Sequence, residues 1–515
     1  MNFIDSLNSC TFINNTMIII KNIIHTHIIV LFMIIVFPVS INAQETKNKD
    51  TTINGILHPE LNFIQFYSRS SLTKIASKWA NSNNITIAHM GDSHVQTDVL
   101  SGEIRKNLQA IKGDAGRGMT FPYAIAKTYS ANDYKSTYTG KWKCANGIEY
   151  LPKLSLGPSG FTCQTFDSNA SFTVIFKTPL PESNKILRIF CKKTEASYDF
   201  ILKTRDKEVL VVVDDIIGPN QPYVEIGLPV IGDTITIQLT KQNPKEREFE
   251  LYGMSLESSQ KEGVLVHCLG VGGARYGSIL AQRLFQDQFP FLNPDLVIVD
   301  FGTNDYIYFD EIPDNLENEI KNVIKKIRFS APDADILLTT TQDMNRKGIN
   351  IRSGEAFSDL IRKIAKEENC AFYDWFWVAG GPRVMTTWLE KGLAQNDMIH
   401  LRAEGYKLKG QMMTKAFLNT MSLLQTSPKT DSLIFSLDSL KSIAKAGDTI
   451  HVAEPKPVYN AKGYRTVVHT VRSGETLGGI ARKYHTTVSA IMSQNGLKNT
   501  TIRVGRTLKI KVKKR

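Results

Sequence analysis

Cysteine is scarce: six in 515 residues, with no CxxC pair and no spacing that suits a zinc site. That excludes a disulfide-built scaffold and a zinc-organised module. Cys144 and Cys163 can pair in an oxidising compartment, or all five cysteines after Cys10 can pack as small buried hydrophobes. The apolar run Ile28 to Phe37 is short for a membrane span. The glycine-rich stretch Gly113-Asp-Ala-Gly-Arg-Gly118 lacks the GxxxxGK[ST] pattern of a phosphate cradle and reads as a connector. No cluster of His, Asp or Glu has metal-ligand spacing, so no metal or other cofactor is expected. No DNA- or RNA-binding motif appears, so nucleic acid is not an expected partner. Acid is nearly missing from the last fifty residues. From Arg465 onward twelve cations face one carboxylate, Glu475, so this tail holds most of the net charge of +12. A basic tail suits an anionic cell envelope.

What is present needs more than one domain, because a single core rarely serves so long a chain. The first residues read as an export signal. Lys21 precedes the apolar run, and Pro38-Val-Ser-Ile-Asn-Ala43 leads to a cleavage point after Ala43. The alternative is an uncleaved anchor; in either case membrane contact is confined to this segment. Ile85-Thr-Ile-Ala-His-Met90 is an apolar, β-branched run broken by Gly91-Asp92, with Ser93 on the turn and a helical pattern after Gln96. A serine on such a turn lies at the carboxyl edge of a parallel sheet, where α/β enzymes place their chemistry. Residues 134–258 differ in texture. Short alternating runs such as Ala170–Phe176 and Thr234–Leu239 predict an antiparallel β-sandwich inserted between two α/β segments. Strands then alternate with helices again over residues 259–424, which predicts a doubly wound parallel sheet.

Acyl transfer needs a nucleophile, a base, a group that orients the base, and donors for the oxyanion. The chain offers one candidate for each. Ser93 is the nucleophile, His400 the base and Asp397 its orienting carboxylate. The Ser93 and Gly273 backbone N–H groups and the Asn304 amide are the oxyanion donors. Gly273 suits that role because a side chain there would obstruct the approach. Asp92 is expected to brace the turn. His94 and Gln96 adjoin the nucleophile and either touch substrate or bond locally, while His267 reads as a core histidine. Trp375, Trp377 and Trp388 either line a sugar platform or pack in the core.

The order Gly91-Asp-Ser93, Gly270-Val-Gly-Gly273, Gly302-Thr-Asn304-Asp and Asp397-x-x-His400 resembles the SGNH (GDSL-type) hydrolase family. The resemblance covers about residues 60–125 and 260–420. It departs from the pattern in the large insert and in Gly272, where many members have asparagine. The closing segment, Val468-His-Thr-Val-Arg-Ser-Gly-Glu-Thr-Leu with Asn495-Gly-Leu and Val504-Gly-Arg-Thr-Leu-Lys-Ile, resembles a LysM domain of βααβ form. That resemblance implies binding of N-acetylglucosamine-containing glycan, chiefly peptidoglycan, with Gly474, Glu475, Thr476, Gln494 and Asn495 on the groove loops. Helix capping and turn formation account for the same residues equally well.

Together these readings predict an α/β protein. Its parts are a signal peptide (1–43), a doubly wound SGNH hydrolase in two pieces (58–133 and 259–424), the inserted sandwich (134–258), a linker (425–465) and LysM (466–513). The function expected is an exported serine esterase that removes O-acetyl groups from peptidoglycan. The position of the insert resembles that of the carbohydrate-binding insert in related peptidoglycan O-acetylesterases. The rival expectations are an acetyl esterase on other polysaccharides, a transferase using the same acyl-enzyme, and a non-catalytic wall-binding protein.

Overall fold

The computed structural model describes residues 56–513, apart from 83, 206, 214–220, 229–231, 261, 310, 449–463, 472–474, 498 and 504–505. The expected signal segment and Gly474 lie outside the described residues.

Six strands form the sheet of the expected hydrolase: β1 (Gln65–Phe66), β2 (Asn84–Gly91), β3 (Gly263–Gly270), β4 (Leu296–Asp300), β5 (Asp335–Thr339) and β6 (Ala371–Tyr373). Their spatial order is β1-β6-β5-β4-β2-β3. All pairings are parallel except that of the short edge strand β1 with β6. The chain passes from β2 to β3 on one side and then returns to β4 on the other, so the topology reverses about β2. Ligands of open α/β sheets bind at such a reversal, beyond the carboxyl ends of the strands.

Alternation along the strands builds two cores, one on each face. Ile85, Ile87, Leu296 and Ile298 face one cluster, which includes Trp375, Trp377 and Trp388. Ala88, Met90, Val297 and Val299 face the other. Burial on both faces is what makes these strands read as nearly continuous apolar runs. The three tryptophans are at most 2% exposed and therefore belong to the core, not to a sugar platform. Their indole area gains more from burial under the sheet than from water.

The insert is two antiparallel sheets. One holds Lys207–Val211, Asp199–Thr204, Thr234–Thr240, Ser171–Phe176 and Tyr134–Thr139. The other holds Tyr223–Gly227, Ile186–Cys191, Phe249–Glu257, Phe161–Thr165 and Lys143–Asn146. Its core is continuous with that of the hydrolase: Phe172, Phe200 and Leu251 share a cluster with Met90 and Val299. The glycine-rich stretch expected as a connector supplies part of the join. Gly116–Thr120 is a strand, paired antiparallel with Phe249–Glu257. Glycine is required at 118, where φ is +79° and a Cβ would collide with the Val266 carbonyl of β3. Arg117, on the same strand, is buried and bonded to Asp133 at 2.9 Å and to Asp98. Cys144 and Cys163 face each other across two paired strands of the insert and form a disulfide. Cys191, Cys268 and Cys370 are free and buried.

Part of the expected linker packs on the hydrolase. Leu433 exchanges backbone hydrogen bonds with Phe66 of β1, and Leu437–Asp448 is helical. The C-terminal unit pairs Tyr464–Thr470 with Thr507–Lys513 around helices Leu477–Lys483 and Val488–Gln494. Leu477, Ile480, Ile491, Leu508 and Ile510 form its small core. Among the described residues, no helix is long and apolar enough to cross a membrane.

Candidate active site

Gly91, Gly270 and Asp300 lie level with one another at the carboxyl ends of β2, β3 and β4. The chain turns sharply after each. After β2, Asp92 caps the short helix Ser93–Gln96 by accepting the His94 N–H at 2.9 Å. That helix crosses so close that a Cβ at Gly91 would strike Val95, and one at Gly270 would strike the Gln96 backbone. The paired glycines thus let Ser93 sit over the sheet edge.

The long helix Ala403–Thr426 packs along Val99–Lys112, and the loop before it carries Asp397 and His400 to the same edge. Ser93 Oγ lies 2.8 Å from His400 Nε2. His400 Nδ1 lies 2.7 Å from Asp397 Oδ2. The other carboxylate oxygen accepts the backbone N–H groups of Ile399 and His400, both at 3.0 Å. Burial pushes the Asp397 pKa up, but the His400 ring and these two N–H groups outweigh it and hold the carboxyl below its usual range. Such a carboxylate fixes a ring N–H toward itself and leaves the opposite nitrogen able to take a hydroxyl proton.

The β3 loop brings Gly272 and Gly273 alongside. The Gly272 N–H donates to Gln96 Oε1 at 2.5 Å. A side chain at 272 would collide with the Tyr129 hydroxyl, so this chain's own tyrosine fills that space. Gly273 has φ of +83°, and its N–H has no acceptor among the described residues. The Asn304 amide follows β4 and donates to the Ala274 carbonyl at 3.0 Å and to Asp92 Oδ2 at 3.3 Å. Burial raises the Asp92 pKa to about 8. Both Asn304 protons are thus engaged, and the longer bond to Asp92 is the weaker one to exchange for a ligand oxygen.

Of the supporting residues, His94 was singled out beside Ser93 in the sequence, whereas Tyr406, Gln342, Lys409 and Asp300 carried no signal there. His94 is buried beneath the site, bonded through Nδ1 to the Tyr406 hydroxyl at 2.8 Å, and its ring stacks on His400 with centroids 5.1 Å apart. Burial, and then the neighbouring His400, drives the His94 pKa well down, so it stays neutral. Gln342 donates to the Ile399 carbonyl at 2.9 Å and steadies the same loop. Deeper, Lys409 and Asp300 form a buried ion pair at 2.9 Å, with Thr339 donating to Asp300 at 2.7 Å. Burial alone would raise the Asp300 pKa; Lys409 and His89 together outweigh it and keep the carboxylate ionised. Pairing signals of this kind come from tertiary packing and leave no local pattern. His267 is fully buried, and burial pushes its pKa down to about 3.

In the C-terminal unit, Thr476 caps a helix through the Gly479 N–H at 3.1 Å, and Glu475 Oε2 lies 2.8 Å from His469 Nε2. Gln494 accepts the Lys511 N–H at 2.8 Å, and Asn495 exchanges two bonds with the Lys509 backbone at 2.7 Å. These side chains hold helices and strands together.

Residues 230–408 match the GDSL-like Lipase/Acylhydrolase family and residues 469–511 match the LysM domain. The first match starts within the sandwich, so Ser93 lies upstream of it. A solved peptidoglycan O-acetylesterase is similar over 71% of this chain and 99% of that one, at 20% identity and a TM-score of 0.56. A solved acetylxylan esterase from Geobacillus stearothermophilus aligns over 32% of this chain and 74% of that one, at 20% identity and a TM-score of 0.24. The N-acetylmuramoyl-L-alanine amidase sle1 of Staphylococcus saprophyticus is 57% identical over 42 residues, which are 8% of this chain and 13% of that protein. The α/β portion thus carries a GDSL-like lipase/acylhydrolase match over residues 230–408 and shares its fold with that solved esterase; a β-sandwich interrupts it and a LysM domain follows.

Proposed function

We propose that this protein is an exported serine esterase that hydrolyses O-acetyl esters on cell-wall glycan, held at its substrate by the LysM unit. The continuous hydrogen-bond chain Ser93–His400–Asp397, at 2.8 and 2.7 Å, carries the reading. Ser93 Oγ attacks the acetyl carbonyl while His400 Nε2 accepts its proton. The ionised Asp397 stabilises the imidazolium. The oxyanion takes hydrogen bonds from the Ser93 and Gly273 N–H groups and from Asn304, which exchanges its 3.3 Å bond to Asp92 for the new one. Collapse expels the sugar oxygen with the proton from His400 and leaves an acetyl-serine. Water, deprotonated by His400, then releases acetate and restores the hydroxyl.

The glycan class is inferred from the LysM unit together with the overall likeness to a peptidoglycan O-acetylesterase. The leader ending at Ala43 supports export. The test is acetate release from O-acetylated sacculi by the full chain and by Ser93→Ala. The alanine variant is expected to lose at least about 10⁴-fold in rate and to sediment with sacculi as the wild type does. Acetate released only from acetylated xylan would move the substrate to another polysaccharide. Sedimentation without any ester cleavage would leave a wall-binding protein.

A further inference from the structure

Between the insert and the hydrolase lies a cleft of about 650 Å³. One wall is the insert loop Gly147–Tyr150; the other is the segment Gly273–Ala281 with Asp305, Phe309 and Glu319. The cleft reaches the reaction centre, because Gly273 lines it and the Ile148 side chain overhangs that glycine. A Cβ on Gly273 would lie 3.2 Å from Ile148 Cγ2. The sandwich therefore walls the space beside the oxyanion position.

The insert loop is held at its base. The Gly147 N–H donates to the Gly160 carbonyl at 2.9 Å, and the Cys144–Cys163 disulfide joins the strands on either side. Gly160 itself abuts Val271 of the β3 loop, where a side chain would collide. From this fixed base the loop presents Tyr150, 93% exposed, and Phe309 across the cleft is 48% exposed. Two aromatic faces open to water on opposite walls of one cleft suit the apolar face of a pyranose ring.

The polar lining has a definite sign. Glu149, Asp305 and Glu319 are set against one cation, Arg275. Asp305 is 5% exposed. Its Oδ1 accepts the Tyr276 N–H at 3.1 Å, while Oδ2 has no partner among the described residues. Glu319 is braced by the Asn315 amide at 2.7 Å and faces Gly277, where the lack of a side chain leaves its carboxylate uncovered. Carboxylates accept hydroxyl and amide protons and repel anions; here Glu149 and Glu319 supply that charge, while Asp305, with its pKa raised to about 7 by burial, serves mainly as a hydrogen-bonding group. A phosphate or uronate polymer is thereby disfavoured.

We infer that this cleft is a saccharide subsite that takes an uncharged pyranose residue next to the esterified sugar on the same glycan chain, with the insert supplying one wall. The assignment rests on the esterase reading above and adds where the chain lies. It makes the enzyme selective for polymers through a loop more than fifty residues from the nucleophile in sequence.

The test compares the full chain with the double variant Tyr150→Ala/Glu319→Gln on p-nitrophenyl acetate and on O-acetylated glycan strands solubilised from sacculi. The ratio of kcat/KM on strands to kcat/KM on the small ester is expected to fall on the order of tenfold, through KM on strands. Tyr150→Phe, which keeps the aromatic face, should restore most of the ratio when paired with native Glu319. Wild-type activity on strands with an unchanged ratio in the double variant overturns the subsite alone. A wild type that releases no acetate from any glycan overturns the esterase reading, and the subsite with it.

Discussion

The rim of the hydrolase sheet and the C-terminal unit both present polar side chains on loops, yet they use them differently. At the rim, Ser93, His400 and Asp397 bond to one another across more than 300 residues of chain, and the Gly273 N–H has no acceptor among the described residues. In the LysM unit, Thr476, Gln494 and Asn495 are bonded to their own nearby backbone. A small domain cannot build stability from a large core, so its polar loop residues must serve as fasteners. The larger domain has an apolar core on each face of its sheet and can leave a backbone donor such as the Gly273 N–H uncommitted.

The contrast can be tested by changing one residue in each region. Asn304→Ala should lower kcat about 10²–10³-fold on a small acetyl ester, the usual effect of removing one oxyanion donor. It should leave the unfolding midpoint close to wild type. A loss of stability in place of a loss of rate would make Asn304 a fastener too. Asn495→Ala should do the opposite. Losing its bonds to Lys509 and Ile491 should destabilise the LysM unit by about 1–3 kcal/mol, read as a lower unfolding transition for that unit with the esterase rate unchanged. Loss of sacculus binding in a fully stable unit would instead put this side chain against glycan.

The smallest expected effect is a pH dependence. The folded pKa of Asp92, about 8, lies above the ordinary aspartate value. Between the two values the folded state holds a proton that the unfolded state has released. Stability from this group is therefore complete below the ordinary value and declines as pH rises through about 8. Asp305 and Asp335, each raised to about 7 mainly by burial, act in the same sense. Asp92→Asn should reduce the loss of stability between pH 5 and pH 8 by roughly 1 kcal/mol or more, measured by urea unfolding at the two pH values. An unaltered slope would show that Asp92 is ionised throughout and paired with Asn304.

The parallel sheet was legible because its strands are buried on both faces and three of them end in glycine or aspartate, at Gly91, Gly270 and Asp300. Ser93, the Gly270–Gly273 loop and Asn304 each follow such a run, so a local signal marks each one. The sandwich was legible from alternation such as that of Thr234–Thr240. Partnership across the fold was not. Nothing near Tyr406 marks it as the partner of His94, and nothing near Ile148 places it over Gly273. The tryptophans that precede His400 in sequence are buried, whereas Tyr150, remote in sequence, lines the same cleft as Gly273. Sequence distance decides neither case: the tryptophans belong to the core below β6, and the insert folds back over the β3 loop. The run Gly113–Gly118 read as a connector because glycine usually weakens strands. Here the glycines let strand Gly116–Thr120 lie flat against β3.

That strand also governs how the protein can be taken apart. Because it is stitched to Phe249–Glu257, and because Phe172 and Leu251 share one oily interior with Met90 and Val299, the sandwich is no detachable accessory. Cutting it out would strip the sheet of its roof. Substitutions at the tips of the sandwich loops, by contrast, leave that shared interior intact.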